Sequence, residues 1–230
     1  MCTSFIKKEK GNYLIGMNFD NNGMKYKLVT KNDWFIGYVE VGKMMVPSFG
    51  VHKSGLFFNN QCVESNGKGE YRRGKNVVHS TKFLLEIINH AIDVENLNSY
   101  LQQHEIVNVP NWSTHNLIVK ADGTVWIIEP GRGNKYLPLT ADEFQVITNE
   151  SILDYWDNQN YQCNRYLTVN DFLAKNEMLT KENAFQLLQQ VSQTGPEWVT
   201  DLTLVYDKKK NTVYYQERKN LDKVAEYQFK

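Results

Sequence analysis

The sequence predicts an α+β fold in which antiparallel strands and helices form separate layers, and three observations carry this. Short runs rich in aromatic and β-branched residues recur between clusters of Asn, Asp and Gly, which is the pattern of hairpins. Strand runs come in blocks divided by helical blocks, in the order strands, helices, strands, helices, strands, which suits α+β layering over alternating βαβ units. No repeat, low-complexity tract or Pro/Ser-rich linker divides the 230 residues, so a single domain over 1–230 is expected.

In chain order, the first strand run spans 13–19 and ends at the turn Asp20-Asn21-Asn22-Gly23. Runs at 25–30 and 34–41 flank Lys31-Asn32-Asp33, and runs at 46–52 and 56–61 flank Lys53-Ser54-Gly55. Residues 65–75 are polar and Gly-rich, the composition of a loop. A helix begins near Ser80, because Phe83, Leu84, Ile87, Ile88, Ala91 and Ile92 recur at helical spacing. A shorter helix follows over 96–103, and Pro110-Asn111 marks a break. Strands at 116–120 and 124–129 enclose Asp122-Gly123, a strong hairpin signal. A strand at 144–148 and helices at 169–175 and 181–191 come next, with Thr180 as N-cap and Glu182 favourable in the first turn. The chain closes with strands at 202–207, 212–216 and 223–229.

Composition narrows the function. The chain is 41% hydrophobic and 23% charged, as in globular proteins. Its 26 basic and 26 acidic residues cancel, which argues against general attraction to nucleic acid or anionic membrane. Lys208-Lys209-Lys210 reads as a solvated hairpin turn. Cys2, Cys62 and Cys163 make a poor disulfide framework, with no CxxC and no zinc-finger spacing. No secretory signal or apolar run long enough for a membrane span is evident. A cytoplasmic location, which keeps thiols reduced, is therefore expected, and no cofactor or metal is implied.

Cys2 follows Met1 directly in Met1-Cys2-Thr3-Ser4-Phe5. Removal of Met1 leaves one residue carrying a thiol and a free α-amine, with reference pKa values of about 8.5 and about 7.7–8.0. A nucleophile and its base then share a residue. Three residues, two of them at strand ends, suit such a thiol. Asp20 ends Gly16-Met17-Asn18-Phe19-Asp20 and can orient an α-amine; alone, it reads as a turn residue. Asn149 ends Val146-Ile147-Thr148-Asn149 and carries an NH2 that can donate to an oxyanion. Arg165, in Cys163-Asn164-Arg165-Tyr166, supplies a cation that favours a thiolate. His115 offers general Cys/His chemistry, but a buried or solvated role is the commoner one for a lone histidine. Gly131-Arg132-Gly133 reads as a turn, since no helix follows it closely.

These pieces, in this order, resemble the choloylglycine hydrolase and penicillin V acylase family of N-terminal-nucleophile (Ntn) hydrolases. Met-Cys-Thr at the start, followed by Gly-x-Asn-x-Asp, matches that family's opening. Gly50-Val51-His52-Lys53-Ser54-Gly55-Leu56 looks like its glycine-methionine-asparagine-glutamate-lysine-glycine-leucine hairpin, and residues 114–129 look like its paired strands leading to a Glu. Val146-Ile147-Thr148-Asn149 and Cys163-Asn164-Arg165-Tyr166 are similar to its valine-leucine-threonine-asparagine and serine-arginine-phenylalanine motifs, and Tyr214-Tyr215 lies in similar C-terminal strands.

The resemblance implies a four-layer αββα sandwich with Cys2 at a strand start between two antiparallel sheets. It implies catalytic roles for Cys2 as nucleophile with its α-amine as base, Asp20 as orienter, Asn149 as oxyanion donor and Arg165 beside the thiolate. It places Met17 and a middle Asn in contact with substrate; Asn60 is assigned to the latter, although counting from Gly55-Leu56 lands on Cys62. The implied substrate is a small N-acyl amide, and a homo-oligomer fits the family.

Two departures bear on specificity. Met17 stands where the family usually has Arg, and fifteen residues separate Asn149 from Arg165 where longer relatives carry several dozen. An apolar acyl pocket from among Phe5, Met17, Phe19, Trp34, Phe57 and Phe58 competes with ordinary core packing for the same residues. Two functions stay open: an amidase working through an acyl-thioester, or an acyltransferase with the same Cys2; and a weak or inactive Ntn-like domain that binds an acylated ligand or a protein partner.

Overall fold

The computed structural model describes residues 2–220 and 223–230. In chain order the elements are β1 (Thr3–Glu9), β2 (Asn12–Asn21), β3 (Tyr26–Lys31), β4 (Trp34–Val41), β5 (Met44–His52), β6 (Phe57–Cys62) and β7 (Val77–His79). Then come α1 (Ser80–Ile88), α2 (Leu97–Gln103), β8 (Glu105–Val107), β9 (Thr114–Val119), β10 (Val125–Glu129), β11 (Gly133–Leu137) and β12 (Phe144–Ile147). The chain ends with α3 (Asn164–Lys175), α4 (Lys181–Gln190), β13 (Val199–Asp207), β14 (Thr212–Glu217) and β15 (Ala225–Gln228).

Six strands form one antiparallel sheet in the order β12-β1-β2-β13-β14-β15, and seven form a second in the order β11-β10-β9-β6-β5-β4-β3. A short parallel pair, β7-β8, stands apart from both. Helices α3 and α4 pack on the first sheet, against β12 and β1 and against β13 and β2. Helix α1 packs on the second sheet, against β5, β6 and β9. The layers are therefore helix, sheet, sheet, helix, as expected.

Strand alternation assigns the faces. Lys7 and Glu9 bond to Leu173 O and Leu179 N, so odd-numbered residues of β1 face the helices, and Ser4 and Ile6 face the second sheet. Asn18 donates to Leu188 O of α4, so Met17 and Phe19 of β2 face inward between the sheets. The inter-sheet core gathers Ile15, Met17, Phe49, Phe57, Leu117, Val119 and Ile127. A second cluster, with Trp34, Ile36, Phe58, Ile118 and Ile128, fills the space under α1 and α2 through Phe83, Leu84 and Leu97. Burial of each such side chain contributes about 1.5–3 kcal/mol before losses of conformational entropy. Of the residues considered for an acyl pocket, Phe5 thus lies under the helices, and Trp34 and Phe58 lie beyond the second sheet.

Several boundaries differ from the sequence pattern. Strand β2 runs through Asp20 to Asn21, and Asp20 pairs with Thr200 of β13, so it is a strand residue and not a turn residue. Helix α1 stops at Ile88 because His90 adopts φ +56°, although Ala91 and Ile92 continue the apolar spacing. Helix α3 starts at Asn164, not 169, and its first turn holds Arg165 against the first sheet's strand ends. Strands β1, β7, β8 and β11 lie outside the strand runs of the sequence pattern. Thr180 does cap α4, accepting from Asn183 N while Asn183 Oδ1 accepts from Thr180 N.

Three cross-strand pairs set a phenylalanine ring over a glycine: Phe5 over Gly16, Phe49 over Gly37 and Phe58 over Gly50. A Cβ at Gly16 would stand 2.2 Å from Phe5 Cζ, and one at Gly37 2.2 Å from Phe49 Cε1. These glycines are the space in which the rings lie. Gly16→Ala is expected to destabilise by roughly 1–3 kcal/mol in urea unfolding, and Phe5→Leu in the same chain to recover part of the loss. Wild-type stability for Gly16→Ala would contradict the packing.

Candidate active site

Four strand ends meet at one edge of the first sheet. Strand β1 lies between β12 and β2, with Thr3 opposite Asn18 and Ser4 opposite Ile147. Because all neighbours are antiparallel, β1 and β13 start where β2 and β12 end. Cys2, one residue ahead of β1, therefore falls beside Asp20 of β2, Thr148-Asn149 after β12, and Thr200 of β13. Three of the candidate residues, Cys2, Asp20 and Asn149, arrive from 147 positions of sequence through strand pairing alone.

Arg165 comes from the other direction, in the first turn of α3. Its Nη1 donates to Cys2 O at 2.7 Å and to Thr3 Oγ1 at 2.9 Å, and its Nη2 donates to Asn149 Oδ1 at 2.9 Å. Nη1 also lies 3.7 Å from Asp20 Oδ2. One guanidinium thus touches all three of the other candidate residues. The position of α3 is fixed by Glu150, whose carboxylate accepts from Gln162 N and Cys163 N just ahead of the helix.

The remaining bonds set what each group can do. Asn149 Nδ2 donates one hydrogen to Cys62 O at 2.6 Å, leaving its second N–H for another acceptor. Asp20 Oδ1 accepts from Thr200 Oγ1 at 2.5 Å, while the buried Oδ2 has no hydrogen-bond partner. Cys2 Sγ lies 3.7 Å from Asp20 O. Ser4, on the inward face, accepts from both Asn59 Nδ2 and Gln61 Nε2 at 2.7 Å, tying the nucleophile's strand to β6 across the inter-sheet space.

Electrostatics follow from burial. Cys2 is 7% exposed, and burial first, then the charge of Asp20, pushes its thiol up to about 12. Burial likewise raises the Asp20 carboxyl to about 6, against the opposing pull of the Thr200 hydrogen bond and the Arg165 charge. Both groups favour their neutral forms more than they would in water. Burial also raises the Cys62 thiol.

Met17 is fully buried, one residue along β2 from Asn18, and brings no charge to the site. Asn60 does not join the cluster: it accepts from Asn116 Nδ2, on the opposite face of β6 from Asn59 and Gln61. At this register it is Cys62, through its carbonyl, that meets Asn149. Thr200 and Glu150 are participants that no local sequence pattern announces, whereas counting from Gly55-Leu56 lands on Cys62. The one available signal was position, since Glu150 adjoins Asn149. His115 is fully enclosed, with its ring nitrogens at 2.9 Å from Glu129 Oε1 and 2.6 Å from Thr148 O. Among the described residues no group of three His, Cys, Asp or Glu side chains is placed to hold a metal, and no helix is long and apolar enough to cross a membrane.

No protein-family profile and no curated protein matches the sequence. Solved structures do. The conjugated bile acid hydrolase of Clostridium perfringens, in a mutant form, superposes with a TM-score of 0.70 at 16% identity, covering 99% of this chain and 92% of the other. Penicillin V acylase from Agrobacterium tumefaciens gives 0.65 at 16% identity, covering 94% of this chain and 83% of the other. The Caenorhabditis elegans ortholog of N-acylethanolamine-hydrolyzing acid amidase gives 0.51 at 13% identity, covering 89% and 92%. All are Ntn hydrolases, and the likeness establishes that this chain has their fold, a sandwich of two antiparallel sheets between helices.

Proposed function

We propose that this chain, matured to begin at Cys2, is an N-terminal-cysteine amidohydrolase that cleaves a linear N-acyl amide through an acyl-thioester on Cys2. The supporting observation is the convergence of Cys2, Asp20, Asn149 and Arg165 in a fold shared with three amide hydrolases. The first residue of the sequence lies outside the described residues, so its removal is part of the proposal.

The chemistry follows from the charges. Burial raises the Cys2 thiol while Met1 is still attached, so a base must take its proton as the sulfur attacks. An α-amine on the same residue, with a pKa of about 7.7–8.0, is a base of suitable strength. Asp20 Oδ2, buried and paired with Arg165 at 3.7 Å but without a hydrogen bond, is the acceptor available to hold that amine. As Sγ bonds to the carbonyl carbon, the developing oxyanion accepts the second N–H of Asn149, a neutral donor already fixed by Arg165 and Cys62 O. The ammonium then returns its proton to the leaving amine, the C–N bond breaks and the thioester remains. Water, deprotonated by the same amine, releases the acid and restores the thiol. If a second amine replaces water, the product is a new amide.

Met17 puts no cation beside the nucleophile, which favours an acyl group with an apolar face over one that needs an arginine. The same feature, with a nearly closed Cys2, favours a second reading as a domain that binds an acylated ligand without turnover. Screening N-acyl amino acids of varied chain length, with penicillin V and conjugated bile acids, separates the two. With a substrate in hand, Cys2→Ala is expected to abolish turnover and keep the fold, and Cys2→Ser to retain under about one hundredth, a hydroxyl being far less acidic than a thiol. Wild-type turnover by Cys2→Ala would end the proposal.

The Asp20 carboxyl gives a pH signature. Turnover that uses an ionised Asp20 has kcat/KM falling as pH drops through about 6. Stability moves in the opposite sense. A carboxyl whose folded pKa is raised from 3.8 to about 6 weakens the fold in its ionised form, with the full penalty present above about 6 and lost as pH falls toward 4. Two units correspond to roughly 3 kcal/mol. Asp20→Asn is therefore expected to lose activity yet unfold at higher urea than wild type at pH 8, with the gap closing by pH 4. An equal gap at both pH values would contradict the assignment.

A further inference from the structure

We propose that the buried pair His115 and Glu129 is a clamp that positions Asn149, holding the chain on both sides of it; this rests on the role proposed for Asn149 above. The two residues sit on neighbouring strands. Ile128 of β10 is opposite Asn116 of β9, so the next positions bring Glu129 beside His115, on the inward face with Ile127 and Leu117. Both side chains are wholly shielded from solvent.

The pair reaches out in two directions. His115 Nε2 meets Thr148 O at 2.6 Å, immediately before Asn149. Glu129 accepts from Ile152 N at 2.8 Å, from Ser151 Oγ at 2.6 Å and from Leu153 N at 3.2 Å, just after Asn149. With the 2.9 Å contact to His115 Nδ1, each carboxylate oxygen has two partners. A segment without regular structure is thereby fixed at 148 and again at 151–153, and Asn149 stands between the anchors.

Proton counting gives the pair two hydrogens and no net charge. Thr148 O can only accept, so Nε2 carries a hydrogen. The Nδ1–Oε1 contact needs another, so the pair holds two N–H or O–H hydrogens where a neutral imidazole and a carboxylate hold one. An imidazolium beside a carboxylate satisfies this, as does an imidazole beside a carboxylic acid, and either leaves no net charge. Burial pushes the Glu129 carboxyl up, but its bonds to His115, Ser151 and Ile152 outweigh that and keep it below its ordinary value. The same count removes His115 from direct cysteine chemistry, since neither ring nitrogen is available to Cys2. Its action on the reaction runs through Asn149, and displacing an oxyanion donor by about 1 Å can lower rates on the order of a hundredfold.

The test uses the full chain and p-nitrophenyl butyrate as acyl donor, in a double-mutant cycle of His115→Gln with Asn149→Ala; Ser151→Ala, a milder loosening of the same clamp, stands in if His115→Gln fails to fold. The expected result is a kcat lowered about 10- to 100-fold by His115→Gln with KM within about twofold, and a change under about threefold when Asn149 is already Ala. Equal losses in both backgrounds would overturn the clamp, because they would mark a general structural role. The side-chain amide resonances of Asn149 give a readout that needs no turnover. They should move in His115→Gln and Ser151→Ala, and unmoved resonances would overturn the clamp as well. If the resonances move but Asn149→Ala leaves kcat intact, or wild type cleaves nothing, the clamp stands and it is the role of Asn149 in catalysis that falls.

Discussion

The site depends on one half-buried cation. Arg165 is the group through which the start of β1, the end of β2 and the segment after β12 are held in register, because its guanidinium donates to Cys2 O, Thr3 Oγ1 and Asn149 Oδ1 and lies near Asp20 Oδ2. A planar fork of five N–H groups can do this, and a lysine ammonium on the same helix could not reach the same acceptors together. The cation also makes the Asp20 carboxylate tolerable. Burial alone favours the neutral acid, and Arg165 and Thr200 pull it back only to about 6. Removal of the cation would leave an ionised Asp20 uncompensated in a space with little water, whereas Arg165 without Asp20 keeps its bonds to Cys2 O, Thr3 Oγ1 and Asn149 Oδ1.

The polar groups form a band at one end of an otherwise apolar inter-sheet core. Ser4, Asn59 and Gln61 bridge the two sheets, and Asn59 Oδ1 accepts from Leu117 N. A bonded network of this kind fixes how one sheet sits against the other, which apolar packing does less sharply. Buried side-chain atoms without a partner among the described residues include Asp20 Oδ2, Gln61 Oε1 and Thr148 Oγ1, all at this end. Unsatisfied polar atoms weaken a fold. Trp34 Nε1 and Asn116 Oδ1 likewise lack a hydrogen bond among the described residues, away from this end.

Much of this was legible in the residues. Gly, Asn and Asp mark most hairpins, and apolar spacing finds α1 and α4. Strand β1 was harder, because its helix-facing residues include Thr3, Lys7 and Glu9, whose polar ends bond to Arg165, Leu173 O and Leu179 N and so break the expected alternation. Strand β11 is an edge with a largely exposed Gly-Asn-Lys start, and β7 and β8 are too short to show a period. In the site, Cys2, Asp20, Asn149 and Arg165 each sat in a short motif. Thr200 and Glu150 did not, because their partners are a side chain 180 positions away and backbone N–H groups ahead of α3. Counting from Gly55-Leu56 lands on Cys62, and it is the Cys62 carbonyl that reaches Asn149, while Asn60, two residues earlier, accepts from Asn116.

The central claim is that a thiol and an α-amine on the same residue do the chemistry, with Asp20, Asn149 and Arg165 arranged around them. Peptide mass analysis of the protein from its native cell, acid-quenched during exposure to an N-acyl substrate, tests this most directly. The account predicts an N-terminal peptide that begins at Cys2 and carries the mass of the acyl group on its sulfur. A peptide that retains Met1, or an acyl group found only on other residues, would contradict it.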